Sequence, residues 1–283
     1  MLASCDDLSD HLDKIEQKAT DPIRHALNRI RRIGNVPAAK AFKSFPRSID
    51  GPLVALEYLE NGSLTQFYER LKNVNWMLPN RLLIPIVVCM VRALIGIEYP
   101  MDGPEGGPLK TETINTNVVP TNFSHNDQGF RNMMWDNASD LTEHRHGQIT
   151  KIIDFGLMAQ SQLPTFGPKQ NLMGMARIIA SLITGGNFIG TLYQIPGPNP
   201  WSTYGGGIYP GGPNGDPLPW YYAPLRIFLC RCMATDPAFV PSLAEALTIT
   251  RGWLNLGPDA FLDPARETDG SIEYVMQRLI FDA

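Results

Sequence analysis

Three side chains that suit metal-assisted phosphate chemistry occur between Asn122 and Gly156. Asp127 and Asn132 are five residues apart in a polar segment, and Asp154 ends an apolar run before a glycine. Carboxylate and amide oxygens are the ligands that Mg²⁺ prefers when substrate phosphates complete its coordination. A carboxylate that the metal does not use can accept a hydroxyl proton during phosphoryl transfer. The alternative interpretation makes Asp127 and Asn132 turn formers and Asp154 a helix cap.

The same residues carry a resemblance to a known family. His125-x-Asp127-x-x-x-x-Asn132, followed by Asp154-Phe155-Gly156, resembles the catalytic loop and metal-binding loop of the protein kinase superfamily. The resemblance implies that Asp127 is the catalytic base and that Asn132 and Asp154 bind Mg²⁺. It also implies that ATP is the phosphoryl donor.

A second segment resembles the hinge at which kinases bind adenine. Residues 53–64 read as a buried strand, a short connector and a helix capped by Ser63. The resemblance places the backbone of Glu57 and Leu59 against the adenine edge and Met134 under the ring. A strand that simply leads into a capped helix is the alternative for this segment, and core packing explains Met134 equally well.

The elements that must position these residues follow from periodicity and turn signals. Apolar spacing predicts helices over 80–99 and 171–184, the second stopped by Gly185-Gly186, and a strand at Met133-Met134. Two further helices are predicted over 225–233 and 242–254. The string from Arg231 to Leu243 between them resembles the end of a protein kinase C-lobe, which distinguishes this chain from the aminoglycoside-phosphotransferase-like kinases.

The resemblance implies an α+β, protein-kinase-like fold, with a mainly α-helical C-lobe and a remnant of the small β-rich N-lobe. Residues 1–58 are expected to form the partial N-lobe, a helix plus two strands. Residues 59–255 are expected to form the C-lobe, with an irregular Gly/Pro-rich insert near 195–219. Residues 256–283 are expected to form a C-terminal tail with a short amphipathic helix.

Several family features are absent from the sequence. We find no glycine-rich phosphate loop, no strand lysine and no Ala-Pro-Glu signature, and the aspartate that braces the catalytic loop in the family is missing near Lys169. Asn126 replaces the usual arginine, and Gly129 stands where Ser/Thr kinases carry a phosphate-binding lysine. We therefore expect impaired phosphoryl transfer. We also expect either a further segment before Met1 or another chain to cover the exposed sheet edge.

Composition excludes some classes of partner. The 283 residues carry a net charge of -4 with a pI near 5.7, which argues against a nucleic-acid or anionic-membrane surface. The apolar run over 82–97 contains Pro85 and Arg92 and is short for a membrane span. The four cysteines show no metal-binding spacing, so we expect buried thiols and an intracellular setting, cytoplasmic or nuclear. They are Cys5, Cys89, Cys230 and Cys232.

Three functions remain open from the sequence. The first is ATP-dependent phosphoryl transfer to Ser/Thr or Tyr hydroxyls of a protein substrate, impaired here. The second is a pseudokinase, a binding module that holds a protein partner without phosphotransfer. The third is a small-molecule kinase of the aminoglycoside type, which fits residues 125–132 but fits poorly with residues 225–254.

Overall fold

The computed structural model describes residues 59, 61–100, 111–136, 143, 149–212 and 215–281. Within these residues the protein is mixed α+β, with six α-helices and three two-stranded antiparallel sheets. The helices are α1 (Leu64–Val74), α2 (Asn80–Glu98), α3 (Phe166–Thr184), α4 (Ala223–Cys232), α5 (Leu243–Gly252) and α6 (Asp269–Met276). The strands are β1 (Phe123–Ser124), β2 (Met133–Asp136), β3 (Ile149–Ile152), β4 (Ala159–Gln160), β5 (Tyr193–Ile195) and β6 (Trp201–Thr203), paired β1–β4, β2–β3 and β5–β6.

The predicted partial N-lobe, residues 1–58, lies outside the described residues, as does Cys5. The described residues can therefore be compared only with the predicted helical part and C-terminal tail. Nearly all of it belongs to one compact unit, which spans Leu59–Tyr99 and Glu112–Ala283.

Helix α2 lies at the centre of the core, where it packs against α3, α5 and β3. It is long and apolar enough to cross a membrane, yet 78% of its most apolar window is buried inside the protein. A helix that is hydrophobic on all sides needs such burial in a folded core. The contacts of α2 with three other elements account for its composition without a membrane.

A carboxylate from the far end of the chain caps the N-terminus of α2. Pro79, the N-cap residue, makes no side-chain cap. Instead, Glu267 accepts hydrogen bonds from the backbone N–H groups of Asn80 and Arg81, each at 2.9 Å. A negative charge at this end of a helix is stabilising, because the first N–H groups lack partners within the helix. Residues near 267 are thereby tied to the central helix.

Helix α1 begins where the sequence predicts. Ser63 Oγ accepts a hydrogen bond from Gln66 N at 3.4 Å, and Gln66 Oε1 accepts one from Ser63 N at 2.9 Å. This reciprocal capping box fixes the start of the helix. It confirms Ser63 as the N-cap.

Helices α3, α4 and α5 match the predicted helices, with one shift. Helix α3 begins at Phe166, five residues before the predicted start at Asn171, and ends at Gly185 in the left-handed conformation, with φ of 65°. Glycine tolerates this φ without the steric clash of a Cβ. The pair α4 and α5 encloses the turn at Asp236-Pro237, as predicted.

The insert near 195–219 is more regular than the sequence predicts. Strands β5 and β6 form a hairpin, and Thr203 at the end of β6 is fully buried. Each strand has three residues, which is too short to show a period-two pattern. Further along, Asp216 forms an ion pair with the buried Arg226 of α4. The prediction of an irregular insert was therefore wrong for the hairpin.

The described cysteines are buried thiols, as predicted. Burial raises the pKa of Cys89 and of Cys230 to about 12. Thiols with pKa values this high remain protonated and unreactive at neutral pH. They belong to the core and not to a reactive site.

Candidate active site

Strands β2 and β3 bring the two halves of the predicted site together. Their antiparallel register pairs Met133 with Ile152, and the N–H of Ile153 donates to the carbonyl of Asn132 at 2.9 Å. Asp154 is the next residue after Ile153. The loop that ends at Asn132 and the turn that begins at Asp154 are therefore neighbours in space.

His125 is fully buried and orders the loop from inside. Its Nε2 lies 3.0 Å from the carbonyl oxygen of Ile153, and its Nδ1 lies 3.3 Å from the backbone N of Asp127. A carbonyl only accepts, and a backbone N–H only donates, so the proton resides on Nε2 and the ring is neutral. Burial lowers the pKa of His125, against the pull of both Asp127 and Asp154. His125 therefore supports the site without titrating at neutral pH.

Both carboxylate oxygens of Asp127, the predicted base, have partners. Arg131 Nη2 donates to Oδ1 at 2.5 Å, and Asn132 Nδ2 donates to Oδ2 at 3.0 Å. The hydrogen bond from Arg131 is the largest cause that lowers the pKa of Asp127. Asp127 is therefore ionised at neutral pH, as a proton acceptor must be, although its contact with a cation weakens its basicity.

The side chain of Asn132 is oriented by Asp127. Its Nδ2 also donates to the Asp127 carbonyl at 2.7 Å, so both amide hydrogens are used. No described residue donates a hydrogen bond to Asn132 Oδ1. That oxygen is therefore not occupied by a described donor, and its role as a Mg²⁺ ligand stays a prediction.

Asp154 is the N-cap of a short 3₁₀-helix (Phe155–Leu157), as the alternative interpretation predicts, and it also has backbone strain of the kind found at functional sites. It adopts the left-handed conformation, with φ of 61° and ψ of 71°, and its Oδ1 accepts a hydrogen bond from Gly156 N at 3.3 Å. A non-glycine residue holds this conformation only when its surroundings stabilise it. The carboxylate of Asp154 is exposed and lies beside the Asn132 segment.

Amide and carboxylate oxygens such as these are the kind that Mg²⁺ uses when substrate phosphates supply its other ligands. Asn132 Oδ1 and the Asp154 carboxylate would be the protein ligands. Among the described residues, no group of three or more His, Cys, Asp or Glu side chains could hold a metal ion by itself. A pair of oxygen ligands suits Mg²⁺, which retains waters and binds phosphates instead of filling an all-protein site.

Two asparagines hold the site in place, and the sequence analysis did not predict this role for either of them. Asn171 of α3 accepts a hydrogen bond from the backbone N–H of His125 at 2.9 Å, so an asparagine braces the loop from the core helix. Asn126, at φ of 62°, donates through Nδ2 to the carbonyl of Leu157 at 3.0 Å. Asn171 could have been noticed because it lies four residues before Met175 and eight before Ile179, on the face of the helix that the apolar spacing predicts to be buried.

The predicted adenine contacts are only partly within the described residues, which do not include Glu57. Leu59 is buried at 7% exposure, and Met134 is half-buried. Ser63 pairs with Met134 in an antiparallel bridge, and Trp135 N donates to Gly62 O at 2.9 Å. The connector therefore reaches β2 beside Met134, and adenine binding stays a prediction.

A separate open cavity of about 780 Å³ lies between the α1–α2 connection and the residues around α6. None of its lining residues belongs to the candidate site. The aromatic rings of Trp76 and Tyr274 line it, with their centroids 5.5 Å apart.

Comparison with known proteins adds no relative to this description. No protein-family model matches the sequence, and the curated proteins give no match.

Proposed function

We propose that the chain binds Mg²⁺·ATP and transfers the γ-phosphoryl group to a Ser, Thr or Tyr hydroxyl of a protein substrate. The observation that carries this proposal is the position of Asn132. Its side chain donates to Asp127, and its carbonyl accepts from the residue before Asp154. The proposed base and the proposed metal ligands therefore share one hydrogen-bonded frame.

In the proposed reaction, the acceptor hydroxyl oxygen forms a bond to the γ-phosphorus. The bond from that phosphorus to the oxygen bridging it to the β-phosphate breaks, and ADP leaves with the electron pair. The hydroxyl proton passes to the Asp127 carboxylate. Mg²⁺, when bound, would neutralise charge on the phosphates, and the chain would orient it through Asn132 and Asp154.

We expect the reaction to be slow. Phosphoryl transfer depends almost entirely on positioning and on charge stabilisation. The sequence shows neither the phosphate-covering glycine loop nor the strand lysine. Each lost electrostatic contact lowers the rate by roughly 10²-fold.

The test is phosphate transfer from radiolabelled ATP to a mixture of Ser, Thr and Tyr peptides, with the full chain and Mg²⁺. Asp127→Asn is expected to lower the rate about 10²-fold or more, because the amide cannot accept the proton. Asp259→Asn, at an exposed carboxylate in another part of the chain, is the matched control. Equal rates for wild type and Asp127→Asn would disprove the assignment of the base.

The second candidate function is a binding module without phosphotransfer. The observation in its favour is that Arg131 and Asn132 already occupy both oxygens of Asp127. Thermal unfolding with and without Mg²⁺·ATP separates the two functions. Specific binding raises the melting temperature by mass action, whereas a module that binds no nucleotide shows no shift at millimolar concentration.

A further inference from the structure

We propose that Arg131 is a specificity-determining residue, which selects acceptor substrates that carry an acidic group beside the reacting hydroxyl. This inference rests on the proposed function, because it assigns the substrate class of the same site. It concerns a residue that the motif leaves unassigned, between Asp127 and Asn132.

The first observation is the position of the guanidinium. Its Nη2 donates to Asp127 Oδ1 at 2.5 Å, within the turn that ends at Asn132. An acceptor hydroxyl must approach the same carboxylate to within hydrogen-bond distance, about 2.6–3.2 Å. Both groups thus meet at Asp127, and a hydroxyl oxygen that bonds to Oδ1 would lie within about 6 Å of Nη2.

The second observation is that most of the guanidinium is unused. The Arg131 side chain is 70% exposed. Arginine has five N–H donors, and apart from the contact with Asp127 none of them bonds to a described residue. A planar guanidinium with free donors binds carboxylates and phosphates through paired hydrogen bonds. A carboxylate or phosphate beside the acceptor hydroxyl could accept hydrogen bonds from these free donors.

The third observation is the local distribution of charge. Arg131 is the one Lys or Arg between His125 and Asn132, since Gly129 stands where a lysine would supply a second cation. The whole chain carries a net charge of -4, which favours basic peptides by long-range attraction. A preference for acidic acceptors would therefore depend on Arg131 and not on the protein's overall charge.

The test measures peptide binding separately from catalysis. Two fluorescein-labelled peptides have alanine in place of the acceptor serine, with glutamate on both sides in one and lysine on both sides in the other. Wild type is expected to bind the glutamate peptide about tenfold more tightly at low salt. Fluorescence anisotropy gives both dissociation constants.

Three variants identify the residue responsible. Arg131→Gln is expected to remove the preference, and Arg131→Lys to retain most of it, because the charge remains. Arg177→Gln, at an exposed arginine of α3, is the control and is expected to leave the preference unchanged. Since Arg131 is mostly exposed, melting curves are expected to show that the variants fold.

Each outcome supports or overturns the proposal. Equal binding of the two peptides by wild type, tighter binding of the lysine peptide, no binding of either peptide, or an unchanged preference in Arg131→Gln overturns it. A second assay measures phosphoryl transfer to the same peptides with the acceptor serine restored. It distinguishes failure of this inference from failure of the proposed reaction. If transfer depends on Asp127 but no preference depends on Arg131, this inference alone fails. If Arg131 sets the binding preference while transfer is absent, the proposed reaction fails and acidic recognition remains.

Discussion

The side-chain oxygen of Asn171 accepts a hydrogen bond from the backbone N–H of His125 at 2.9 Å. The amide nitrogen of the same side chain donates to the carbonyl of Phe123 at 2.8 Å. Asn171 is buried in α3, so one side chain of a core helix satisfies two backbone groups of the segment that leads to Asp127. The candidate base is thereby anchored through backbone contacts, two residues before its own side chain.

Replacement of Asn171 by alanine is expected to lower the free energy of unfolding by about 1–3 kcal/mol, since buried backbone groups lose their partners. Asn171→Asp retains an acceptor for the His125 N–H, but its second oxygen would face the Phe123 carbonyl and its charge would be buried, so we expect a loss of similar size. Urea denaturation measures both. Gln170→Ala, at the exposed neighbouring position, is the control and is expected to change stability by less than about 0.5 kcal/mol. A loss in Asn171→Ala no larger than that of the control would show that the brace is not used.

Asn126 joins the catalytic-loop segment to the turn after Asp154. Its Nδ2 donates to the Leu157 carbonyl at 3.0 Å, and its Oδ1 accepts from Ser124 Oγ at 2.6 Å. Asn126→Gly retains the positive φ and removes both hydrogen bonds, so hydrogen exchange over 155–160 is expected to accelerate. Asn126→Ala adds the steric penalty of a left-handed alanine and is expected to be less stable than Asn126→Gly by about 1 kcal/mol. Unchanged exchange in Asn126→Gly would contradict the proposed link.

Local patterns predicted the parts of the structure that depend on neighbouring residues. Ser63 caps its helix through a residue three positions along, and the apolar period over 80–99 gave α2 to within a residue at its C-terminal end. The spacing from Asp127 to Asn132 likewise predicted a shared loop, and their side chains are hydrogen-bonded.

Contacts between distant residues could not be read from spacing. Glu267 caps α2 from 187 positions away, and Asn171 braces His125 across 46 positions. A polar residue that is buried must have a partner, but the sequence does not identify that partner. Arg131 is different, because it lies only four residues from Asp127 and the two side chains pair within one loop.

The neutral state of His125 predicts a dependence of stability on pH. Burial lowers its pKa below the ordinary value near 6.5, so the unfolded chain binds this proton first as pH falls. His125 therefore contributes no pH dependence above about 6.5, and below it the free energy of unfolding falls by up to about 1.4 kcal/mol per pH unit until the folded pKa is reached.

Long-range ¹H–¹⁵N spectra of the imidazole measure this state directly. We expect Nε2 to be protonated and Nδ1 unprotonated at pH 7. We also expect the ring to take up its second proton only at a pH below the pKa of an exposed histidine. A midpoint at or above about 6.5 would show that the ring is not held neutral.

Arg226 and Asp216 predict an unequal response to mutation. Arg226 is fully buried, and its Nη1 and Nη2 donate to the two carboxylate oxygens of Asp216, each at 2.6 Å. Asp216→Ala leaves a buried guanidinium without its counterion, and we expect a loss of about 3–5 kcal/mol in unfolding free energy. Arg226→Met removes the charge along with the pair, so the double variant Arg226→Met/Asp216→Ala is expected to recover much of that loss.

The pair formed by Arg266 and Asp263 is the matched control, because both of its side chains are about half exposed. Solvent screens such a pair, and Asp263→Ala is expected to change stability by less than about 1 kcal/mol. Chemical denaturation of all four variants gives the coupling energy of the buried pair. If Asp216→Ala were as mild as Asp263→Ala, the insert would not depend on this ion pair. If Asp216→Ala loses much more unfolding free energy than both Asp263→Ala and the double variant, the ion pair from Asp216 to Arg226 of α4 stabilises the insert.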